Sequence, residues 1–370
     1  MPTELNALGG GGDPVARALD RTVGAALVRV TGELRPKRWL PADLQRIGVM
    51  KAIGIGDMIL ATGVIRDVAA AFPGAEVVVL AGSENEGIAR LVENVRVVPL
   101  RLAQPWSTVR FLRAARLDVL LDLGQWTRTE AIYSLLSGAR YTVGFETPGQ
   151  RRHYAYDETA PHSPEVHELE NFRRVAARIG VEGSSLPRIE PPAAQAEPPV
   201  SGPYSVFHLW PGGFFSHLRE WPLDSWRELA RRLVERGFQI LLSGAPADAP
   251  RAEAFASSCL ELGDAVQSIA GRHDLVRLVS VLRESKCVVS VNTGVMHLAA
   301  AAGAPTVALN GPTNDARWGP LGPRVVSLSS SLRGCGYLNL GWEYDGHRTD
   351  CMQGISVDRV ADAVLELAGG

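Results

Sequence analysis

The sequence predicts an α/β protein built from two doubly wound parallel-sheet units. Short, almost wholly apolar runs alternate with segments of helical length, the alternation occurs twice, and a proline-rich stretch separates the two series. Continuous apolar strands divided by helices of about 10–15 residues are the pattern of a parallel sheet covered on both faces. A length of 370 residues suits two domains at roughly 100–200 residues each.

The first 44 residues form an N-terminal extension. Residues 1–12, ending in Gly9 to Gly12, have no periodic pattern and read as disordered. Over 14–31, Val15, Leu19, Val23, Ala26, Leu27 and Val30 recur at helical spacing, predicting an amphipathic helix that either packs on its own domain or meets a membrane or partner. The first unit spans 45–186, with strands expected at 46–52, 76–80, 95–99 and 118–123 and helices at 57–72, 84–93, 107–116 and 129–136. The linker is 187–203, in a stretch whose six prolines disfavour both helix and sheet interior. In the second unit, 204–370, strands are expected at 204–210, 238–243, 287–291 and 306–309, with helices at 223–236, 250–259, 275–284 and 293–302. A last helix over 357–368 has no place assigned by pattern. Open α/β sheets bind ligands beyond the carboxyl ends of their strands, so two facing sheets predict a cleft there.

Composition excludes several classes. With 38 Lys+Arg against 40 Asp+Glu, the formal net charge of −2 argues against a generic nucleic-acid binder. No apolar run approaches the ~20 residues of a membrane-spanning helix, and nothing resembles an apolar signal segment, so a cytoplasmic setting is expected. Cys259, Cys287, Cys335 and Cys351 are too scattered for a disulfide scaffold.

Three strand-to-helix junctions carry chemistry. Lys51-Ala-Ile-Gly-Ile-Gly56-Asp57 places glycines where backbone can approach a ligand, and sets Asp57 either as a helix N-cap or as a carboxylate projecting from the strand edge. It contains neither of the common glycine-rich nucleotide fingerprints. Ser290-Val-Asn292-Thr293-Gly294-Val295-Met-His297 offers the N–H groups of Thr293, Gly294 and Val295 to an anion, or else is a plainly capped helix with His297 as an interior histidine. The run from His208 through Gly213, Arg219 and Trp221-Pro222 adds a flexible backbone cradle and a forked phosphate donor.

Together with Gly311-Pro312-Thr313 and Trp318-x-Pro320, these blocks resemble glycosyltransferase family 9, the lipopolysaccharide heptosyltransferase family, from about residue 46 onward. The resemblance implies a GT-B fold of two facing Rossmann-like domains, the first binding acceptor and the second donor. It implies inverting, metal-independent transfer from a nucleotide-diphosphate sugar, usually ADP-heptose, with no cofactor. Asp57 would be the general base. Gly213, Arg219, Asp248, Asn292, Thr293, Gly294, Val295 and His297 would serve the donor, with Asp248 reaching the ribose. Gly56 would serve a glycan or glycolipid acceptor, in the cytoplasm and with peripheral contact at the inner membrane; Arg140, Arg151, Arg152 and His153 form a basic cluster at the end of the first unit that either meets an anionic acceptor or is a solvated loop.

Two departures bear on the donor: Arg219 stands where many members have lysine, and Asn292 where the heptosyltransferases carry aspartate. A third concerns Cys335, His347 and Cys351, which fall one ligand short of a closed metal site and read as thiols in a long loop, a Cys335–Cys351 bridge being disfavoured in a reducing compartment. Competing functional readings are a transferase for another nucleotide sugar, a nucleotide-sugar epimerase, and a degenerate transferase that only binds.

Overall fold

The computed structural model describes residues 20–101, 104–190, 200–213, 215–340 and 343–369. The expected disorder of 1–12, the start of the helix expected at 14–31 and the centre of the proline-rich segment lie outside these residues. The chain divides into two units between Pro187 and Arg188.

In the first unit, α1 (Ala25–Glu33) precedes β1 (Arg46–Lys51), α2 (Ile55–Ala71), β2 (Glu76–Gly82), α3 (Glu86–Ala89), β3 (Arg96–Leu100) and α4 (Pro105–Ala114). β4 (Val119–Asp122), α5 (Arg128–Leu136), β5 (Tyr141–Glu146), β6 (Glu158–Pro161) and α6 (Glu168–Ala177) complete it. The strands pair in parallel in the order β3-β2-β1-β4-β5-β6. Ile47, Val49, Val78, Val79, Leu80, Leu120 and Leu121 are buried, as strands covered on both faces require. The expected helix over 84–93 shrinks to the single turn of α3: tighter bonds from Leu91 N–H to Ile88 and from Val92 N–H to Ala89 follow it, and Asn94 at φ 58° turns the chain away.

The amphipathic helix α1 packs on its own unit through Ala25, Val28 and Gly32, with Gly32 so close to the Tyr154 backbone that a Cβ has no room. Asp20, just before it, accepts from the Arg128 and Thr129 N–H groups at 2.9 and 3.0 Å and pairs with the Arg128 guanidinium at 3.3 Å. Val23, Leu27, Val30 and Leu34 remain exposed.

The second unit runs β7 (Tyr204–His208), α7 (Leu223–Val234), β8 (Gln239–Ser243), α8 (Ala249–Ser258), β9 (Val266–Ser268) and α9 (Leu275–Glu284). It continues through β10 (Cys287–Val291), α10 (Gly294–Ala301), β11 (Thr306–Asn310), α11 (Asp315–Trp318), β12 (Val325–Ser329) and α12 (Val357–Gly369). Its parallel order is β12-β11-β10-β7-β8-β9. Read from its other edge, this is the order of the first unit: each unit's first strand lies between its second and its fourth. The terminal helix α12 buries Val360 and Val364 in one core with Leu229 and Leu233 of α7, and Asp358 pairs with Arg232 at 2.6 Å.

Gly144 in β5 lies directly beneath the Tyr156 ring, whose hydroxyl donates to Asp122 at 2.6 Å. Gly144→Ala therefore forces the ring aside, and we expect it to destabilise the first unit by about 1–3 kcal/mol. The check is a lower urea midpoint at constant m-value; an unchanged midpoint would show that the ring yields freely.

Candidate functional site

In both sheets the strand order reverses beside the first strand, and the loops leaving the first and fourth strands diverge there. Open α/β folds place their ligands at such a point. Of the residues singled out in the sequence, Gly56 and Asp57 lie at this place in the first unit, and Gly213, Arg219, Asn292, Thr293 and Gly294 in the second.

In the first unit, β1 ends at Lys51 and α2 begins at Ile55 after Gly54, which has φ 89°. Gly54 is the N-cap, so Asp57 does not cap the helix; it stands third in the first turn, and Gly56 second. A Cβ on Gly54 would collide with the Asp57 carboxylate, so the glycine is what lets that carboxylate fold back over the turn. Its Oδ1 accepts from Gln125 Nε2 at 3.1 Å, and its Oδ2 lies 3.8 Å from Lys51 Nζ. Gln125 follows β4, across the switch point. The Asp57 side chain is 21% exposed whereas that of Lys51 is 4% exposed, so the carboxylate is the accessible end of a buried polar group.

The two arginines expected at the acceptor side part company. Arg151 is exposed in the loop after β5, with φ 57°. Arg152 is fully buried, donating to Asp122 at 3.0 Å and to the Tyr156 hydroxyl at 2.8 Å. It therefore offers nothing to an acceptor; its charge serves to neutralise a buried carboxylate.

In the second unit, Arg219 spans the switch point between β7 and β10. Its Nη2 donates to Gly212 O at 2.6 Å in the β7 loop, and its Nη1 to Asn292 O at 3.4 Å in the β10 loop. Gly213, at φ 89°, brings the backbone past the guanidinium. Thr293 is the N-cap of α10, and its hydroxyl accepts from the Val295 and Met296 N–H groups at 3.2 and 3.4 Å. The Val295 N–H is thus already satisfied by the cap, which corrects the expectation that it faces an anion; the Thr293 and Gly294 N–H groups remain candidates. His297 is buried within α10, 5% exposed. Asp248 folds onto its own loop after β8, accepting from Ala245 N–H at 2.9 Å.

Asn292 donates through Nδ2 to Asn310 Oδ1 at 2.8 Å and to Trp318 O at 3.0 Å. An aspartate there would set a carboxylate against the Trp318 carbonyl, so the amide fits this chain's own loop. Around Arg219, Tyr344 packs on Phe215 with ring centroids 5.0 Å apart. Burial pushes the Tyr344 phenol up, and the Arg219 guanidinium facing it pulls the other way. Neither Tyr344 nor Phe215 was singled out by its sequence pattern.

Cys335 and Cys351 are joined in a disulfide, with Cα atoms 5.6 Å apart, contrary to the expectation of free thiols. The local fold brings them together: Gly336 N–H and Leu338 N–H bond to Gly311 O and Pro312 O, pinning one end of the loop, and Cys351 opens a 3₁₀ turn at the other. Among the described residues no group of three or more His, Cys, Asp or Glu is arranged to hold a metal ion.

Two Rossmann-like units, each with chemistry-bearing loops at its switch point, have the GT-B fold. The model of glycosyltransferase family 9 (heptosyltransferase) matches residues 106–337, well over half of the chain, and the chain belongs to this family. It is 28% identical over 317 residues to lipopolysaccharide heptosyltransferase 1 of Pseudomonas aeruginosa, covering 78% of this chain and 84% of that protein. The Escherichia coli K12 lipopolysaccharide heptosyltransferase 1 is 26% identical over 306 residues, covering 75% and 91%. Among solved structures, the Escherichia coli ADP-heptose lipopolysaccharide heptosyltransferase II superposes with a TM-score of 0.71 at 20% identity, over 88% of this chain and 98% of that one.

Two outcomes follow for the second unit. Burial holds the His208 imidazole down at about 4, from 6.5, with the Asp248 charge pulling weakly the other way. Its folded form resists protonation while the unfolded form does not, so stability is complete above about pH 6.5 and falls as pH drops toward 4, by up to about 3 kcal/mol. His208→Gln should flatten that slope in a pH series of unfolding midpoints; an equal slope would assign it elsewhere. Opening the disulfide with Cys335→Ser should cost about 3 kcal/mol, the usual figure for a loop of this size, read as a thermal midpoint that no longer responds to reductant.

Proposed function

We propose that the chain transfers a heptose from ADP-heptose to a hydroxyl of a lipopolysaccharide-type acceptor, inverting the anomeric centre without a metal. The observation that carries this reading is the Asp57 carboxylate, held at the carboxyl edge of β1 with one end exposed. The names of the relatives, lipopolysaccharide heptosyltransferase 1 and ADP-heptose lipopolysaccharide heptosyltransferase II, support the sugar, the donor and the acceptor class.

Asp57 takes the proton from the acceptor hydroxyl as its oxygen attacks the anomeric carbon. The carbon–oxygen bond to the nucleotide diphosphate breaks on the opposite face, which inverts the centre. Negative charge gathers on the leaving diphosphate, and Arg219 with the Thr293 and Gly294 N–H groups answers it; the α10 dipole adds to their effect. Asp248 serves the ribose, Gly213 lets the backbone come close, and Asn292 sets the β10 loop that faces the donor. Gly56 and Arg151 serve the acceptor. The outward face of α1, with Leu27 45% and Val30 56% exposed, supports peripheral contact with the inner membrane at the cytoplasmic side. No helix among the described residues is long and apolar enough to cross a membrane.

Asp57→Ala should lower transfer by about 10²–10⁴-fold, the usual worth of a general base, while ADP affinity measured by calorimetry stays within about twofold of the parent. Equal loss of both would show a structural role. Arg219→Ala should weaken ADP binding by about 1.5–3 kcal/mol, as for a lost hydrogen bond to a charged group; unchanged affinity removes it from the donor site.

A further inference from the structure

Asp57 is the exposed end of a larger buried group. Lys51 Nζ donates to Gln125 Oε1 at 2.9 Å. Gln125 Nε2 donates to Asp57 Oδ1 at 3.1 Å and to Glu168 Oε1 at 2.6 Å. Glu168, the first residue of α6, also accepts from Asn171 Nδ2 at 3.1 Å, and His162 Nε2 lies 3.3 Å from both its oxygens. Lys51, Gln125, His162, Glu168 and Asn171 are all buried.

The Gln125 amide is locked in one sense. Rotating it by half a turn would set its carbonyl oxygen against two carboxylates and its amino group against an ammonium. Its present sense aims a donor at Asp57 and leaves Lys51 beside the other carboxylate oxygen. Both interactions favour the ionised carboxylate, the form that accepts a proton. Such an arrangement costs desolvation of a buried cation and carboxylate, yet it presents just one atom group to solvent.

We infer that Lys51 and Gln125 are positioning residues that aim the Asp57 carboxylate and keep it ionised for proton abstraction, with Glu168 accepting the second Gln125 N–H. This rests on the proposed role of Asp57 as base. Among the described residues, the titratable groups near that carboxylate include Lys51 from β1, Glu168 at the start of α6, His162 in the segment before it, and Glu130 of α5, which accepts from Ala52 N–H at 3.0 Å.

The test uses the full chain with ADP-heptose and an inner-core lipopolysaccharide oligosaccharide lacking heptose. Gln125→Met and Lys51→Met remove the two interactions with little change of shape. Both should raise the acid limb of the kcat profile by about one pH unit, a roughly tenfold fall in kcat below that limb, with the ADP-heptose KM unchanged. Parent kcat and an unmoved acid limb in these variants, or a fall in kcat with no movement of the limb, overturns the proposal. Asp57→Asn separates the two readings: if it retains turnover, the base itself is misassigned; if it is inactive while the others match the parent, only the positioning proposal fails.

Discussion

A parallel sheet that winds outward in both directions from its first strand has one place where neighbouring loops must part. Helices cover the faces on either side but cannot cover that edge. Each unit repeats this constraint, and the chemistry follows it. In the first, Lys51 ends β1 and Gln125 follows β4, and the pair meets at Asp57. In the second, Arg219 leaves β7 and reaches the Asn292 carbonyl beyond β10. Two loops that would otherwise separate are tied across the gap by one amide in one unit and one guanidinium in the other.

The near-neutral composition then makes physical sense. A net charge of −2 means the chain carries no overall basic surplus. Several arginines are consumed internally: Arg152 on Asp122, Arg128 on Asp20, Arg38 on Asp157. A single partly buried guanidinium beside a helix N-terminus suits a diphosphate, because a low-dielectric setting strengthens each interaction more than added surface charge would. The fit of Asn292 to Asn310 and Trp318 shows the same economy, with the residue's amide matched to acceptors of its own unit.

The elements that were legible in the sequence are the central ones. β1, β2, β4, β7, β8, β10 and β11 are nearly continuous apolar runs, and buried parallel strands must be. The helix over 275–284 and the strand over 287–291 match their expected bounds residue for residue. Three of the four edge strands were not legible, because an edge strand is half exposed and mixes polar residues: β6 is Glu-Thr-Ala-Pro, and β9 has three residues, whereas the edge strand β3 was expected within one residue of its bounds; the interior strand β5 was missed as well. With β5, β6 and α6 unrecognised, Glu168 and His162 had no place, and Gln125 was one polar residue after an apolar run. The motif residues were visible through glycine and cap chemistry, but not their bonding. Nothing in the spacing shows that the Thr293 hydroxyl takes the Val295 N–H, that Arg152 turns inward while Arg151 turns out, or that Cys335 meets Cys351.

Under the proposed function, the nucleotide binds at the second unit's switch point alone, while the first unit's holds the base. Hydrogen–deuterium exchange of the full chain with and without ADP tests it most directly. ADP should slow exchange in the segments carrying Arg219 and Thr293 and leave the segments carrying Asp57 and Gln125 unchanged. Protection around Asp57 and Gln125, with none around Arg219 and Thr293, would contradict it.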